Sequence, residues 1–226
     1  MAASAIPVDV WADVTDPWSY IGHHRLGEAL AAEPAGAVTV RPRAFELHPG
    51  LPPEGMATEA FYPRRFATVD ALRDELERSA AEAAASGVEL RYDRFTRIPN
   101  TRVAHRLVAL AARRGRGRDA LMALFAGHFR DGADVGDARH AAEIVATAAP
   151  ELDAGALLTA LDAGEGEREV AAEEGLAGRM DVTRVPFFLA GRGVALAGLH
   201  DTATYAQLIA AARQRVEAEE GADARG

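Results

Sequence analysis

Hydrophobic and polar residues alternate near the start of the chain. Residues 8–14 read Val-Asp-Val-Trp-Ala-Asp-Val, and this period of two is typical of a half-buried strand. Asp16 and Pro17 then predict a helix start, because an aspartate oxygen caps free N–H groups and proline lacks the N–H that a first turn leaves unpaired. The helix is expected to run to about Ala32, and residues 38–47 are expected to form a second strand.

The middle of the chain has a helical period instead. Leu72, Leu76 and Ala80 recur at a spacing of four with charged residues between them, which favours an amphipathic helix. Helices are predicted over residues 58–86, 100–113, 118–130, 137–148, 153–163 and 165–180, with a short extended stretch at 88–92. The helical run itself contains no convincing strand pattern.

Strand patterns return near the C-terminus. Residues 185–190 and 194–199 are predicted strands, and the Gly-Arg-Gly sequence at 191–193 is typical of a hairpin turn. A last helix is expected from about Asp201, followed by a polar tail, residues 217–226, that we expect to be disordered.

This order of elements is β-α-β, a block of helices, then β-β-α. It predicts an α/β protein with a thioredoxin-like fold and a large all-helical insertion. Residues 1–55 and 181–216 would form the thioredoxin-like domain together, because neither part can bury its own sheet face, and residues 56–180 would form the insertion.

Composition narrows the function classes. The 226 residues are 49% hydrophobic, carry a net charge of -9 and include no cysteine. The negative charge disfavours binding to nucleic acid or to an anionic membrane, and the missing cysteines exclude disulfides and thiolate metal sites. With neither a membrane-spanning apolar run nor a basic leader in the sequence, we expect a cytoplasmic protein.

Four segments carry a family resemblance. They are residues 16–22, which begin Asp-Pro-Trp-Ser, residues 45–49 with Gly55, residues 100–107, and Val-Pro-Phe-Phe at 185–188. Taken together and in this order, they resemble the DsbA-like thioredoxin superfamily. Within it the chain is similar to the FrnE subgroup, which is related to kappa-class glutathione transferases and 2-hydroxychromene-2-carboxylate isomerases.

The resemblance implies a site at the first helix. Asp16 stands where the family has an attacking cysteine, or where the isomerases and kappa transferases have a serine that holds a glutathione thiolate. Since disulfide exchange requires a thiolate, the chain should be inert as a thiol–disulfide oxidoreductase. A low-molecular-weight thiol is the cofactor that the resemblance suggests, although an ionised Asp16 would repel it. The family also implies a cis Pro186, with the Val185 backbone turned toward the helix.

Three residues are candidates for catalysis: Asp16, Ser19 and His105. A carboxylate or an imidazole at a cleft can move a proton. The helix N-terminus should lower the pKa of Asp16 and make it a weak base. Each residue also has an ordinary structural interpretation: Asp16 as a helix cap, Ser19 as a partner of nearby backbone, and His105 as a structural histidine.

A further set is predicted to bind substrate. It comprises Trp18, Tyr20, Phe45, His48, Asn100, Val185 and Pro186. Core packing is the alternative for Tyr20 and Trp18, and helix capping is the alternative for Asn100. Arg64 and Arg65 are able to bind an anionic substrate, although solvated surface arginines are commoner.

No metal site is predicted. The acidic stretch Asp131, Asp134, Asp137 and Glu143 has alanine and valine where a calcium loop needs oxygen ligands.

From the resemblance and these candidate residues, the preferred function is an isomerase- or transferase-like enzyme that acts on a small aromatic or polyketide-type molecule between the two domains. The alternative is a non-catalytic binding or scaffold protein that kept the fold. Relatives suggest a homodimer.

Overall fold

The computed structural model describes residues 5–191 and 193–223. Its strands are β1 (Ile6–Ala12), β2 (Val38–Ala44), β3 (Met56–Ala57), β4 (Arg97–Ile98), β5 (Phe187–Ala190) and β6 (Val194–Ala197). Its α-helices are α1 (Pro17–Leu30), α2 (Thr58–Arg65), α3 (Val69–Ala85), α4 (Arg102–Ala112), α5 (Gly117–Phe129), α6 (Ala138–Ala148), α7 (Ala154–Asp162), α8 (Glu167–Arg179) and α9 (Thr202–Asp223).

The main sheet joins the two ends of the chain. Its strand order is β2-β1-β5-β6, with β1 parallel to β2 and antiparallel to β5. Val10 of β1 lies opposite Phe188 of β5, and both side chains are fully buried against α1 and α9, together with Tyr205 and Ile209. Trp11 points to the other face and packs near α8. This arrangement is the predicted thioredoxin-like α/β fold.

Helices α4 to α7 belong to the helical insertion and pack around a second hydrophobic core. Phe125 and Leu124 of α5 are fully buried there with Leu107 of α4 and Val145 of α6. The last residues of β1 also reach this core, since Ala12 and the following Val14 belong to it. The first helix is thereby held between the sheet and the insertion.

The predicted helix over 58–86 is wrong in one respect, because it is two helices. Thr68 begins the second one: its hydroxyl accepts a hydrogen bond from the Ala71 N–H at 3.1 Å. The short stretch expected to be extended at 88–92 has no regular secondary structure as far as Arg91. Arg91 donates its backbone N–H to Phe129 O at 2.7 Å, and Tyr92–Arg94 forms a single 3₁₀ turn.

Two further expectations need correction. The short antiparallel pair β3 and β4 lies within the run in which no strand was predicted, and its register joins Met56 to Ile98; two-residue strands are too short to show a period. The tail expected to be disordered from Glu217 is helical as far as Asp223, and an Arg215–Glu219 pair at 3.6 Å supports this helix. Residues 224–226 of that prediction lie outside the described residues.

Within residues 5–191 and 193–223, no helix is long and apolar enough to cross a membrane.

Candidate functional site at the first helix

A cavity of about 320 Å³ opens at the N-terminus of α1. Its walls come from α1, from α2 and α3 of the insertion, and from the loop that leads into β5. The lining side chains include Asp16, Trp18, Leu47, His48, Phe61, Tyr62, Arg65, Phe66, Glu75, Leu76, Ser79, Tyr92, Phe95, His128, Phe129, Arg184 and Val185. Aromatic rings form a large part of this surface, and polar and charged side chains lie between them.

Asp16 caps the helix that borders the cavity. Its Oδ2 accepts the Ser19 backbone N–H at 2.8 Å and the Ser19 hydroxyl at 2.6 Å. Asp16 is only 6% exposed and Ser19 is fully buried. The structural interpretation of Asp16 as a cap is therefore correct in geometry, and the same carboxyl also belongs to the cavity wall.

Burial raises the pKa of Asp16 to about 7. The Ser19 hydroxyl opposes this rise, the charge of Asp13 adds to it, and the N–H groups of Ser19 and Trp18 oppose it. The expectation that the helix N-terminus would lower this pKa is wrong, because the loss of water around the carboxylate outweighs the favourable N–H groups. Asp16 therefore changes its protonation state near neutral pH.

Trp18 is fixed in the wall by two residues of α3. Its indole Nε1 donates to Glu75 Oε1 at 2.9 Å, and the guanidinium carbon of Arg78 lies 5.4 Å from the centre of the ring. Arg78 is also ion-paired with Glu75. The three side chains connect α1 to the insertion and hold the indole ring in one place.

Further polar groups are presented by aromatic side chains. The Tyr92 hydroxyl is 2.7 Å from the Ser79 hydroxyl. His128 stacks on Phe95 with ring centres 4.6 Å apart, and burial lowers the pKa of His128 to about 4, so its ring is neutral at neutral pH. His48 meets Phe61 edge to face at 4.8 Å.

The loop before β5 completes the cavity. The peptide bond between Val185 and Pro186 is cis, as the resemblance implied. Val185 lines the cavity, and no hydrogen bond joins its backbone N–H or C=O to another described residue. Pro186 instead pairs into the sheet, since its carbonyl accepts the Gly198 N–H at 2.7 Å.

Comparison with known proteins identifies the fold family. The sequence profile of the DSBA-like thioredoxin domain matches residues 7–210. The chain belongs to this family.

Solved structures of DsbA-like proteins and their neighbours resemble it. A probable DsbA oxidoreductase from Streptomyces coelicolor is 30% identical, with a TM-score of 0.81 over 92% of this chain and 90% of that one. A 2-hydroxychromene-2-carboxylate isomerase is 16% identical, with a TM-score of 0.67 over 96% and 98%. The cytosolic disulfide reductase DsbM from Pseudomonas aeruginosa, in its structure with GSH, is 19% identical, with a TM-score of 0.59 over 94% and 98%. No curated protein sequence matches the chain.

In this DsbA-like protein the predicted site residues divide into two groups. Asp16, Trp18, His48 and Val185 line the cavity. Ser19 is adjacent through its bonds to Asp16. Their roles in catalysis or binding stay predictions, whereas their position is shown.

The other predicted residues lie elsewhere, and the expectation that they border the cavity is corrected. Tyr20 is partly buried and stacks on Phe125 at 5.1 Å and on Phe129 at 5.8 Å, against the helical core. Phe45 packs beside Trp11 under the sheet. Both residues pack against hydrophobic cores, and neither is among the residues that line the cavity.

Asn100 and His105, which were also predicted to lie at the site, have structural surroundings instead. Asn100 donates its side-chain amide to Leu51 O at 2.8 Å and accepts the Arg102 N–H at 3.0 Å. It stands one residue before Thr101, the cap of α4. His105 is 3% exposed inside α4 with no partner for its Nε2, and burial lowers its pKa. Neither residue lines the cavity.

Sequence reasoning missed most of the cavity wall in this family member. Phe61, Tyr92, Phe95 and His128 come from parts of the insertion that lie outside the segments that carry the family resemblance. The one available signal was the density of aromatic residues at 61–66 and 92–95. No group of three or more metal-ligating side chains occurs among the residues that the structure describes.

Proposed function

We propose that this protein is an isomerase-type enzyme that transfers a proton on a small aromatic molecule, with Asp16 as the acid–base group. One observation carries the proposal. A buried carboxyl with a pKa of about 7 lies in the wall of an aromatic cavity, at the sequence position where the resemblance places the attacking cysteine.

The cavity supports a small organic substrate. Its volume of about 320 Å³ falls within the range of ligand pockets. Trp18, Phe61 and Phe95 give it flat apolar surfaces, and the Tyr92–Ser79 pair gives it a hydroxyl donor. Aromatic side chains pack well against a planar ligand.

The protonation of Asp16 supports proton transfer. A catalytic acid or base works best when its pKa lies near the working pH, since both protonation states are then populated. Asp16 meets this condition because burial raises its pKa to about 7. Its bonds from Ser19 fix the carboxyl in one orientation at the helix terminus.

Thiol chemistry does not fit this chain. It has no cysteine, so no thiolate is present to attack a disulfide. DsbM is described in complex with GSH, but the ionised form of Asp16 would repel a thiolate at the corresponding place. The proposed reaction therefore differs from that of the oxidoreductase relatives and uses no step through glutathione. A cytoplasmic location and a homodimer stay predictions.

A binding protein without catalysis is the second candidate. The observation in its favour is the pair of hydrogen bonds from Ser19 to Asp16 Oδ2. These bonds account for the carboxyl as a helix cap without any reaction, while the cavity still accepts a ligand.

Proton exchange distinguishes the two candidates. In D2O, the wild-type protein should catalyse deuterium incorporation at the α-carbon of 1-indanone, followed by ¹H NMR, and should convert 2-hydroxychromene-2-carboxylate. Asp16→Asn should abolish both activities while the protein stays folded. The rate should rise as the pH passes through about 7, because the base must be ionised.

The matched control is Asp153→Asn. Asp153 is also a capping aspartate, which accepts the Ala156 N–H at 2.8 Å, but it caps α7 away from the cavity. It should leave both rates unchanged. Binding of either compound without turnover would favour the binding protein, and equal rates for wild type and Asp16→Asn would contradict the role given to Asp16.

A further inference from the structure

Two arginines border the aromatic cavity without an acidic partner. Arg65 is at the end of α2, and Arg184 lies in the loop before β5. Neither forms an ion pair with another described residue, whereas Arg43 and Arg102 each bind two or more carboxylates. Some other exposed arginines also lack a partner, but Arg65 and Arg184 alone among these line the cavity described above.

The acids of the cavity do not neutralise these two charges. Glu75 is already paired with Arg78 and bonded to Trp18. Asp16 is half protonated near pH 7, since burial raises its pKa to about 7. The lining therefore carries positive charge in excess, inside a protein whose net charge is -9.

The histidines of the wall add no positive charge at neutral pH. Burial lowers the pKa of His48, and the charge of Arg65 lowers it further, against an opposing effect of Asp13. The pKa of His128 is about 4 because that ring is buried. The excess charge is thus confined to the two guanidinium groups.

Arg65 is also supported in place. Its guanidinium carbon lies 5.2 Å from the centre of the Phe66 ring, and a cation held over an aromatic face loses less freedom when it binds an anion. Arg65, His48 and Phe61 are shared with an adjoining outer groove of about 290 Å³. A ligand anchored at Arg65 therefore has room for a substituent that extends outward.

We propose that the substrate is an aromatic carboxylate, whose acid group binds Arg65 and Arg184 while its ring enters the cavity toward Asp16. The inference rests on the proposed function and specifies its substrate class. A planar guanidinium matches a carboxylate with two parallel hydrogen bonds. Anchoring the acid at these arginines orients the ring, so that the carbon to be protonated is presented to the buried carboxyl.

The test compares 1-naphthoate with 1-naphthamide, its uncharged analogue of similar shape, by isothermal titration calorimetry. The wild-type protein should bind the naphthoate about tenfold more tightly, which is the size of a charge-assisted hydrogen bond in a partly exposed site. Arg65→Gln and Arg184→Gln should each remove most of this preference and leave the affinity for the amide unchanged. Added salt should weaken binding of the naphthoate alone.

Arg114→Gln is the control, because Arg114 is exposed between α4 and α5 and changes the net charge equally without lining the cavity. It should bind both probes as the wild type does. Equal affinity for acid and amide, or a preference that survives both arginine substitutions, would overturn the carboxylate proposal and leave the aromatic cavity standing. Failure of both probes to bind at millimolar concentration would overturn this proposal together with the proposed function.

Discussion

Asp13 and Asp16 are two buried acids in the same connection between β1 and α1, and their hydrogen-bond donors come from different parts of the chain. Asp13 is 1% exposed. Its oxygens accept the backbone N–H and hydroxyl of Thr15, both at 2.8 Å, and the Leu47 N–H at 2.6 Å. The Thr101 hydroxyl approaches at 3.5 Å. These donors come from separate parts of the chain, and the carboxylate holds them together.

Among the residues that the structure describes, only those of its own helix turn donate hydrogen bonds to Asp16. Ser19 supplies the hydroxyl and N–H that bond to Oδ2, and aromatic rings such as those of Trp18 and Phe95 line the same cavity. Burial away from water raises its pKa to about 7, and the charge of Asp13 adds to this rise. Asp13 thus connects distant segments through its hydrogen bonds, whereas Asp16 is bonded within its own turn and lies in the wall of the cavity. This difference is why we propose Asp16 and not Asp13 as the acid–base group.

Placing cysteines at positions 16 and 19 should give the largest effect on activity. The Asp16 and Ser19 side chains already touch at 2.6 Å, so the double variant Asp16→Cys with Ser19→Cys should form a disulfide at the helix N-terminus, where a thiolate is stabilised. Reduction of insulin by dithiothreitol, followed by turbidity, should rise from the uncatalysed rate, which we expect for the wild type, to a clear catalysed rate. Ser19→Cys alone should stay at the uncatalysed rate. A folded but inactive double variant would show that the cavity no longer accepts a redox site.

Removing the structural acid should be the most damaging change to stability. Asp13→Ala leaves the partly buried N–H groups of Leu47 and Thr15 without partners, and each such loss costs about 1 to 3 kcal/mol. Urea unfolding should therefore show a free energy of unfolding lower by about 3 kcal/mol or more. Asp153→Ala, at an exposed cap, should cost only about 1 kcal/mol. Similar losses for both variants would contradict the contrast.

Removing the charge of Asp16, the acid in the cavity wall, should instead raise the free energy of unfolding at neutral and higher pH. A carboxyl whose pKa is raised on folding stabilises the fold in acid, and this contribution is lost as the pH rises from about 4 toward about 7. Asp16→Asn should thus match the wild type near pH 4 and be more stable by about 2 to 4 kcal/mol at pH 8, since a pKa unit is about 1.4 kcal/mol. Urea unfolding at pH 4, 6 and 8 measures this. A variant that is less stable at pH 8 would show that the ionised cap outweighs its burial.

The smallest effect tests the hydroxyl that restrains Asp16. Its hydrogen bond lowers the pKa of Asp16, so Ser19→Ala should move that pKa further upward, by about one unit. Titration of the ¹³C-labelled carboxyl by NMR gives the value directly. Ser86→Ala, in which the lost hydroxyl is bonded to Arg25 and lies outside the cavity, should leave the titration unchanged. An unchanged pKa in Ser19→Ala would mean that the backbone N–H groups hold the carboxyl by themselves.

Local patterns in the sequence were enough for the order of elements. The alternation over residues 8–14 indicated a strand, although the structure begins and ends it two residues earlier, at Ile6–Ala12. Asp16 and Pro17 marked the first helix because capping depends on neighbouring residues alone. The same locality explains the failures: the 3₁₀ turn at Tyr92–Arg94 and the pair of β3 with β4 depend on partners that are distant in the chain.

The site divides in the same way. Sequence by itself placed Asp16 and Ser19 at a helix N-terminus and excluded disulfide exchange by a cysteine of this chain, because residue identity and helix capping are local properties. Only the tertiary structure decided that Tyr20 packs against the helical core and that His105 is buried. It also decided that His128 and Arg184 belong to the cavity and that the pKa of Asp16 rises instead of falling. The physical reason is desolvation. The water that a carboxylate loses is displaced by side chains from distant segments, and no local pattern records which segments these are.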